Sequence, residues 1–349
     1  MSLLVALFVA TAAIAAPPPS PASPAPALPS ATAAAVTALA LPGAPPDGVA
    51  LDYLVVDRIR HRVWVPAGGT GSVDVIDTRT QEIRRIGDFP VAEVERGGKK
   101  RLMGPSSATV GDGVVYIGDR ADSSVCAVDA TTLARGGCAT LTSMPDGVTF
   151  VARTKEVWVT TPRERSIVVL DVKTPAAPKV SGRIALDGDP EGYAVDDGRG
   201  LFYTNLEDKD RTVRISTETR KVTATWTPSC GAEGPRGLAL SADGEFLMVA
   251  CTGSVEALAA AADGRVLSKI ETGPGLDNLD FLPAQRTVYA AAAFAATLTV
   301  ARLDEHGTLH RIASSPTARG ARNAVVADDG VAYVADGPEG KVLVVRPSP

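Results

Sequence analysis

The chain has 349 residues, 21% of them charged, and a formal net charge of −5. So weak and mixed a charge gives no field favouring nucleic acid or an anionic membrane surface, and no basic stripe with interleaved aromatics occurs. The length exceeds that of an ordinary domain but suits one large all-β unit.

Met1-Ser2 lead into an apolar run from Leu3 to Ala16. The run is too short to span a bilayer. It ends in small residues, Ala12-Ala13-Ile14-Ala15-Ala16, which suits a signal-peptidase site of the Ala-x-Ala kind. We read residues 1–16 as an export leader, although no Lys or Arg precedes the apolar run. Residues 17–35 are rich in Pro, Ala and Ser and carry no charge, which predicts an extended linker. No later apolar stretch approaches about 18 residues, so no transmembrane helix is predicted. Four cysteines follow, Cys126, Cys138, Cys230 and Cys251. An even number in an exported chain reads as two disulfides and a periplasmic or extracellular location.

From residue 36 onward one pattern recurs: a short apolar strand with a large central residue, a polar loop, then an alternating strand that often ends in Asp. Arg62-Val-Trp-Val leads to Val73-Asp-Val-Ile-Asp77, and Val114-Val-Tyr-Ile to Val125-Cys-Ala-Val-Asp129. Glu156-Val-Trp-Val leads to Ile167-Val-Val-Leu-Asp171, and Leu201-Phe-Tyr-Thr to Thr212-Val-Arg-Ile-Ser216. Phe246-Leu-Met-Val, Thr287-Val-Tyr-Ala and Val331-Ala-Tyr-Val begin the last three copies. The anchors Trp64, Tyr116, Trp158, Tyr203, Met248, Tyr289 and Tyr333 stand 52, 42, 45, 45, 41 and 44 residues apart. Spacings of about 40–50 residues with period-two alternation predict four-stranded propeller blades. The expected fold is therefore an all-β, seven-bladed β-propeller over residues 36–349, with strands a to d in each blade from the axis outward.

The seventh copy stops at Pro349 directly after its strand c. Val36-Thr-Ala-Leu-Ala-Leu at the other end has the shape of a strand d, like Ser181-Gly-Arg-Ile-Ala-Leu. It is expected to pair with Lys341–Val345 and close the ring, because an open sheet edge is a liability. On this blade pattern Cys126 and Cys138 share one c–d hairpin. Cys230, before strand a of blade 5, and Cys251, ending its strand b, reach one face. Spacing alone leaves three connectivities; the blade pattern predicts Cys126–Cys138 and Cys230–Cys251.

Turns precede the copies: Pro46-Asp47-Gly48, Pro145-Asp146-Gly147, Pro190-Glu191-Gly192 and Pro235-Arg236-Gly237, with the weaker Pro105-Ser106-Ser107, Leu276-Asp277-Asn278 and Ala321-Arg322-Asn323. Proline fixes φ, and glycine lets backbones approach closely at a crowded axis. These turns start the strands a, so Asp47, Ser106, Asp146, Glu191, Arg236, Asp277, Asn278, Arg322 and Asn323 are expected to converge on the funnel face. Asp119, Asn205 and Asp336 at the ends of strands b are expected beside them. The acids and amides suit Ca²⁺ or Mg²⁺, and the arginines suit a carboxylate or phosphate. The long segment from Phe89 to Gly104, with Glu93, Glu95, Arg96, Lys99, Lys100 and Arg101, is expected as a loop on the same face, with Gly97-Gly98 giving it mobility.

Val-Tyr-Ile, Val-Trp-Val and Ala-Tyr-Val, each followed by an alternating strand, resemble the YVTN-repeat family of secreted seven-bladed propellers. A wider resemblance, to lactonase-type propellers such as gluconolactonases, implies metal-assisted ester hydrolysis. Its pattern is met only in part: Glu233-Gly234-Pro235 lies in blade 5 rather than the first blade, and Pro-Glu-Gly or Pro-Arg-Gly replaces Pro-Asn-Gly. Other enzyme chemistries lack their residues. His61, His306 and His310 fall at a–b and c–d turns away from the funnel, and no Gly-x-Ser-x-Gly occurs. The expectation is a scaffold that binds a small molecule, glycan or protein through its funnel face. The alternative is a divalent-metal-dependent lactonase or esterase.

Overall fold

The computed structural model describes residues 35–96 and 99–347. The leader and all but the last residue of the linker lie outside them, as does the Gly97-Gly98 pair. The strands form seven four-stranded antiparallel sheets and one two-stranded hairpin. Each of the seven is a blade of the predicted kind; blade 3, for example, runs Val148–Val151, Glu156–Thr161, Ser166–Asp171 and Lys179–Ala185. No helix among the described residues is long and apolar enough to cross a membrane.

The anchors explain the cohesion of the ring. Trp64, Tyr116, Trp158, Tyr203, Met248, Tyr289 and Tyr333 are all buried in strands b. Seven apolar clusters each straddle two neighbouring blades. Burial at roughly 25 cal/mol per Å² of apolar surface therefore acts between blades, where period-two alternation supplies an apolar face on both sides of every sheet.

Closure occurs as the sequence predicts. Ala35–Ala40 pairs antiparallel with Lys341–Arg346, with Val36 opposite Val345 and Leu39 opposite Val342. Val36 itself is 38% exposed, and the deep contact comes from Leu41, which joins Val49, Leu51 and Leu54 in the cluster between blades 7 and 1. Both disulfides form as expected, Cys126–Cys138 across one c–d hairpin and Cys230–Cys251 in blade 5.

The Asp that ends many strands c has a local role. Asp77 Oδ1 accepts the amide hydrogens of Arg79 (2.8 Å) and Thr80 (3.0 Å). Asp129 accepts those of Thr131 and Thr132, and Asp171 that of Lys173. A short carboxylate that captures turn amides fixes the c–d turn, so the recurring Asp belongs to the fold.

The Phe89–Gly104 segment differs from its expectation. Ala92–Arg96 and Lys99–Met103 pair as a hairpin rather than a loop. It does rise on the face carrying the b–c loops: a Cβ added at Gly69, in the b–c loop of blade 1, would lie 2.9 Å from Leu102 Cβ.

Candidate functional site at the funnel mouth

Strands a begin at the funnel face, and their first residues are bent toward the axis. Register shifts interrupt the a–b pairing near the start of strand a in blades 2, 4, 5, 6 and 7. A bulge of this kind re-aims the side chain beside it. Close packing at the axis requires glycine. A Cβ at Gly192, where φ is +68°, would lie 2.5 Å from the Arg236 carbonyl oxygen, and one at Gly237 would overlap Asn278.

Asp146, Glu191, Arg236, Asp277, Asn278, Arg322 and Asn323 take these places. Arg236 pairs with Glu207 at 2.6 Å, joining blades 5 and 4, and Arg322 pairs with Asp277 at 2.9 Å, joining blades 7 and 6. Both arginines were expected to face a ligand anion; each already holds a carboxylate of the neighbouring blade. Asn278 Oδ1 accepts the amide of Leu279 within its own strand. Ser106 is buried, and its hydroxyl has no hydrogen-bond partner among the described residues.

Asp47 does not join them. The connection from the closing strand to blade 1 runs from Leu41 to Leu54, and the turn carrying Asp47 is exposed. Gly48 beside it, at φ +89°, packs on the b–c loop of blade 7, and Val49 N donates to Gly337 O at 2.8 Å. The Pro-Asp-Gly turn imitates a strand start but serves ring closure. The place expected of Asp47 belongs to Asp52 and Tyr53. Asp119, Asn205 and Asp336 also sit elsewhere: all three are buried in the wall of the ring. Asn205 accepts from Thr212 Oγ1 at 2.6 Å and donates to the Arg236 carbonyl.

Tyr53 and Arg120 tie the mouth together. The Tyr53 backbone docks on blade 2, donating to Ser106 O and accepting from Ala108 N. Its hydroxyl reaches Glu191 Oε1 of blade 4 at 3.0 Å and Asp146 Oδ2, ahead of strand a in blade 3, at 3.3 Å. Gly192 N donates back to the same hydroxyl at 3.2 Å, and the ring stacks on Tyr193 with centroids 5.7 Å apart. Arg120, one residue past strand b of blade 2, holds Asp52 at 2.8 Å and Asp146. Asn323 Nδ2 donates to Asp52 Oδ1 at 3.0 Å. Below these residues a cavity of about 370 Å³ occupies the channel, bounded at the funnel end by Asp52, Tyr53, Asn278 and Asn323.

The enclosure shifts the acids. Burial pushes Asp52 up to about 6, against the pull of Arg120. Glu191 rises well above the carboxylate range through burial first, and then through Asp146, Asp277, Asp52 and Glu207. Glu207 also rises, by burial opposed by Arg236. Tyr53 is driven well above its ordinary value by burial and by Asp146 and Glu191, so its hydroxyl keeps its proton and donates. Among the described residues, no three His, Cys, Asp or Glu side chains are grouped so as to hold a metal ion. Arginines stand between the acids, so the expected Ca²⁺ or Mg²⁺ lacks a donor set here. The histidines are remote, His61 on an a–b turn and His306 and His310 on the outer c–d hairpin of blade 6.

Fold and site together define a seven-bladed propeller with a charged, interlocked funnel mouth. No family model matches the chain, and no curated protein does. Solved structures match by shape. Hydrazine synthase of Kuenenia stuttgartiensis superposes with a TM-score of 0.69 at 15% identity, over 86% of this chain and 96% of that one. The WD40 repeats of RRP9 give 0.69 at 12% identity, over 91% and 99%. A streptogramin B lyase gives 0.68 at 12% identity, over 90% and 98%. Likeness at such identities shows the fold alone.

Proposed function

We propose that this protein is an exported binding propeller that holds a small polar ligand at its funnel mouth. One observation carries the reading. The residues at the strand starts are not copies of one another, as the blade anchors are, yet Tyr53 and Arg120 lock those of blades 1, 3 and 4 into one hydrogen-bonded group. A rigid ring that presents unlike polar groups over a cavity is how a scaffold earns specificity. Two disulfides suit an oxidising compartment. With the Leu3–Ala16 leader they support a periplasmic or extracellular location. Within the fold, the strand motifs resemble those of the YVTN-repeat propellers, which supports the reading of an exported binding ring.

The test is a thermal-shift screen of small polar compounds, including lactones and cell-envelope glycan fragments. Wild type is compared with Arg236→Ala and with His306→Ala on the outer hairpin. Hits should raise the melting temperature of wild type and His306→Ala alike and shift Arg236→Ala by a different amount. Hits that shift all three proteins equally would place the site elsewhere.

A further inference from the structure

The funnel mouth contains five acids, Asp52, Asp146, Glu191, Glu207 and Asp277, against three arginines. Each arginine is committed: Arg120 to Asp52 and Asp146, Arg236 to Glu207, Arg322 to Asp277. Among the described residues Glu191 is the acid of this group without a cation; its side-chain partner is the Tyr53 hydroxyl. It stands inside a ring of negative charge from blades 1, 3, 4 and 6. Arg322, which also feels Glu191, is held by Asp277. A second feature points the same way. Asn323 is 2% exposed, with its backbone in the left-handed region at φ 57°. Its Nδ2 is spent on Asp52, and its Oδ1, in the wall of the channel cavity, receives no hydrogen bond from the described residues. Surplus carboxylate and an unmet acceptor both lack the same thing, an N–H donor carrying positive charge. Tyr53 and Tyr193, stacked on each other, line the same cavity.

We propose that the ligand of this mouth is a small organic cation, an alkyldiammonium with one charged end on Glu191 and its chain in the channel cavity, where the second end donates to Asn323 Oδ1. The proposal rests on the funnel reading above and narrows it to one chemical class. Burial and the neighbouring acids hold Glu191 above the ordinary carboxylate range, so a cation that pairs with it lowers its pKa and draws protons off as it arrives. The groups facing Glu191 are Asp52 and Tyr53 of blade 1, Asp146 before blade 3, Glu207 of blade 4, Asp277 of blade 6 and Arg322 of blade 7. Four of these six groups are acids, so an anionic ligand of the same length meets repulsion where the cation meets attraction.

Isothermal titration calorimetry with cadaverine, glutarate and 1,5-pentanediol, near neutral pH, separates charge from length. Cadaverine should bind at millimolar concentration or better, glutarate and the diol should give no binding heat, and Glu191→Gln should weaken cadaverine by about tenfold or more. Repeating the wild-type titration in buffers of different ionisation enthalpy should show proton release that vanishes in Glu191→Gln. Glu207→Gln should also weaken binding while keeping proton release, which separates loss of the site from a folding defect at one position. Absence of cadaverine binding would overturn the proposal. Glutarate binding that Arg236→Ala abolishes would overturn the cation class and leave the funnel reading standing. Cadaverine binding unchanged in all three variants would sink both.

Discussion

Aspartates and glutamates do opposite work at the two faces of this ring. On the c–d turns, Asp77, Asp129 and Asp171 are held below the usual carboxylate range, chiefly by backbone amides that donate to them. At the funnel mouth, Asp52, Glu191 and Glu207 are held above it, chiefly by burial. The turn acids recur in register with the blades and stabilise them as anions. At the funnel the turn recurs but its central residue changes, from Asp146 and Glu191 to Arg236 and Arg322, and ionising the buried acids works against the fold. Recurrence is thus a guide to role: what every blade repeats makes the ring, and what single blades carry makes the site.

The framework side of that contrast breaks hardest at the seam between blades 7 and 1. Removing residues 1–41 strips the closing strand from Lys341–Arg346 and takes Leu41 out of the seam. With roughly 1.5–3 kcal/mol for each large apolar side chain lost, plus six unpaired edge residues, the cost should reach several kcal/mol. Urea unfolding against a chain that starts at Ala31 measures it; equal stability would mean the ring closes without this strand.

Smaller effects sharpen the contrast through pH. Asp77→Ala should lose about 1 kcal/mol, in the range for lost side-chain caps. Because the folded pKa of Asp77 is depressed, that stability is present above the unfolded value and lost as pH falls through the folded one. Glu191 has the reverse sign. Its folded pKa is raised, so the native state binds more protons than the unfolded chain above roughly pH 4, and stability falls as pH climbs toward the folded value. Glu191→Gln should therefore match wild type in acid and exceed it at neutral pH. Unfolding free energies of both variants across that range check the two signs together.

Much of this was legible in the sequence. Repeats, spacing and the orphan strand Val36–Leu41 were enough for the blade number, the closure and, through strand placement, both disulfides. The site was legible only as positions. Asp146, Glu191, Arg236, Asp277 and Arg322 could be assigned to the mouth because each follows a recurring turn. The residues that bind them into one group could not. Asp52 and Tyr53 follow a connector whose Pro46-Asp47-Gly48 turn imitates the others, so Asp47 took their place in the reading. Arg120 lies just beyond Asp119, and strand alternation sends the first into the funnel and the second into the wall. Glu207 is one step past strand b of blade 4, in a loop whose side chains no periodic pattern places. The one signal available was chemical: an arginine and a glutamate each stand immediately after a strand b, at the end that faces the funnel.

The contrast between the faces is tested most directly by the ionisation of individual carboxyls. Carbon-13 NMR of selectively labelled Glu and Asp side chains, with Glu191→Gln and Asp77→Asn to assign the signals, reads both in one pH titration. Glu191 should titrate well above the exposed glutamates, and Asp77 below the exposed aspartates. A Glu191 signal that titrates in the ordinary carboxylate range, alongside the exposed glutamates, would contradict the account.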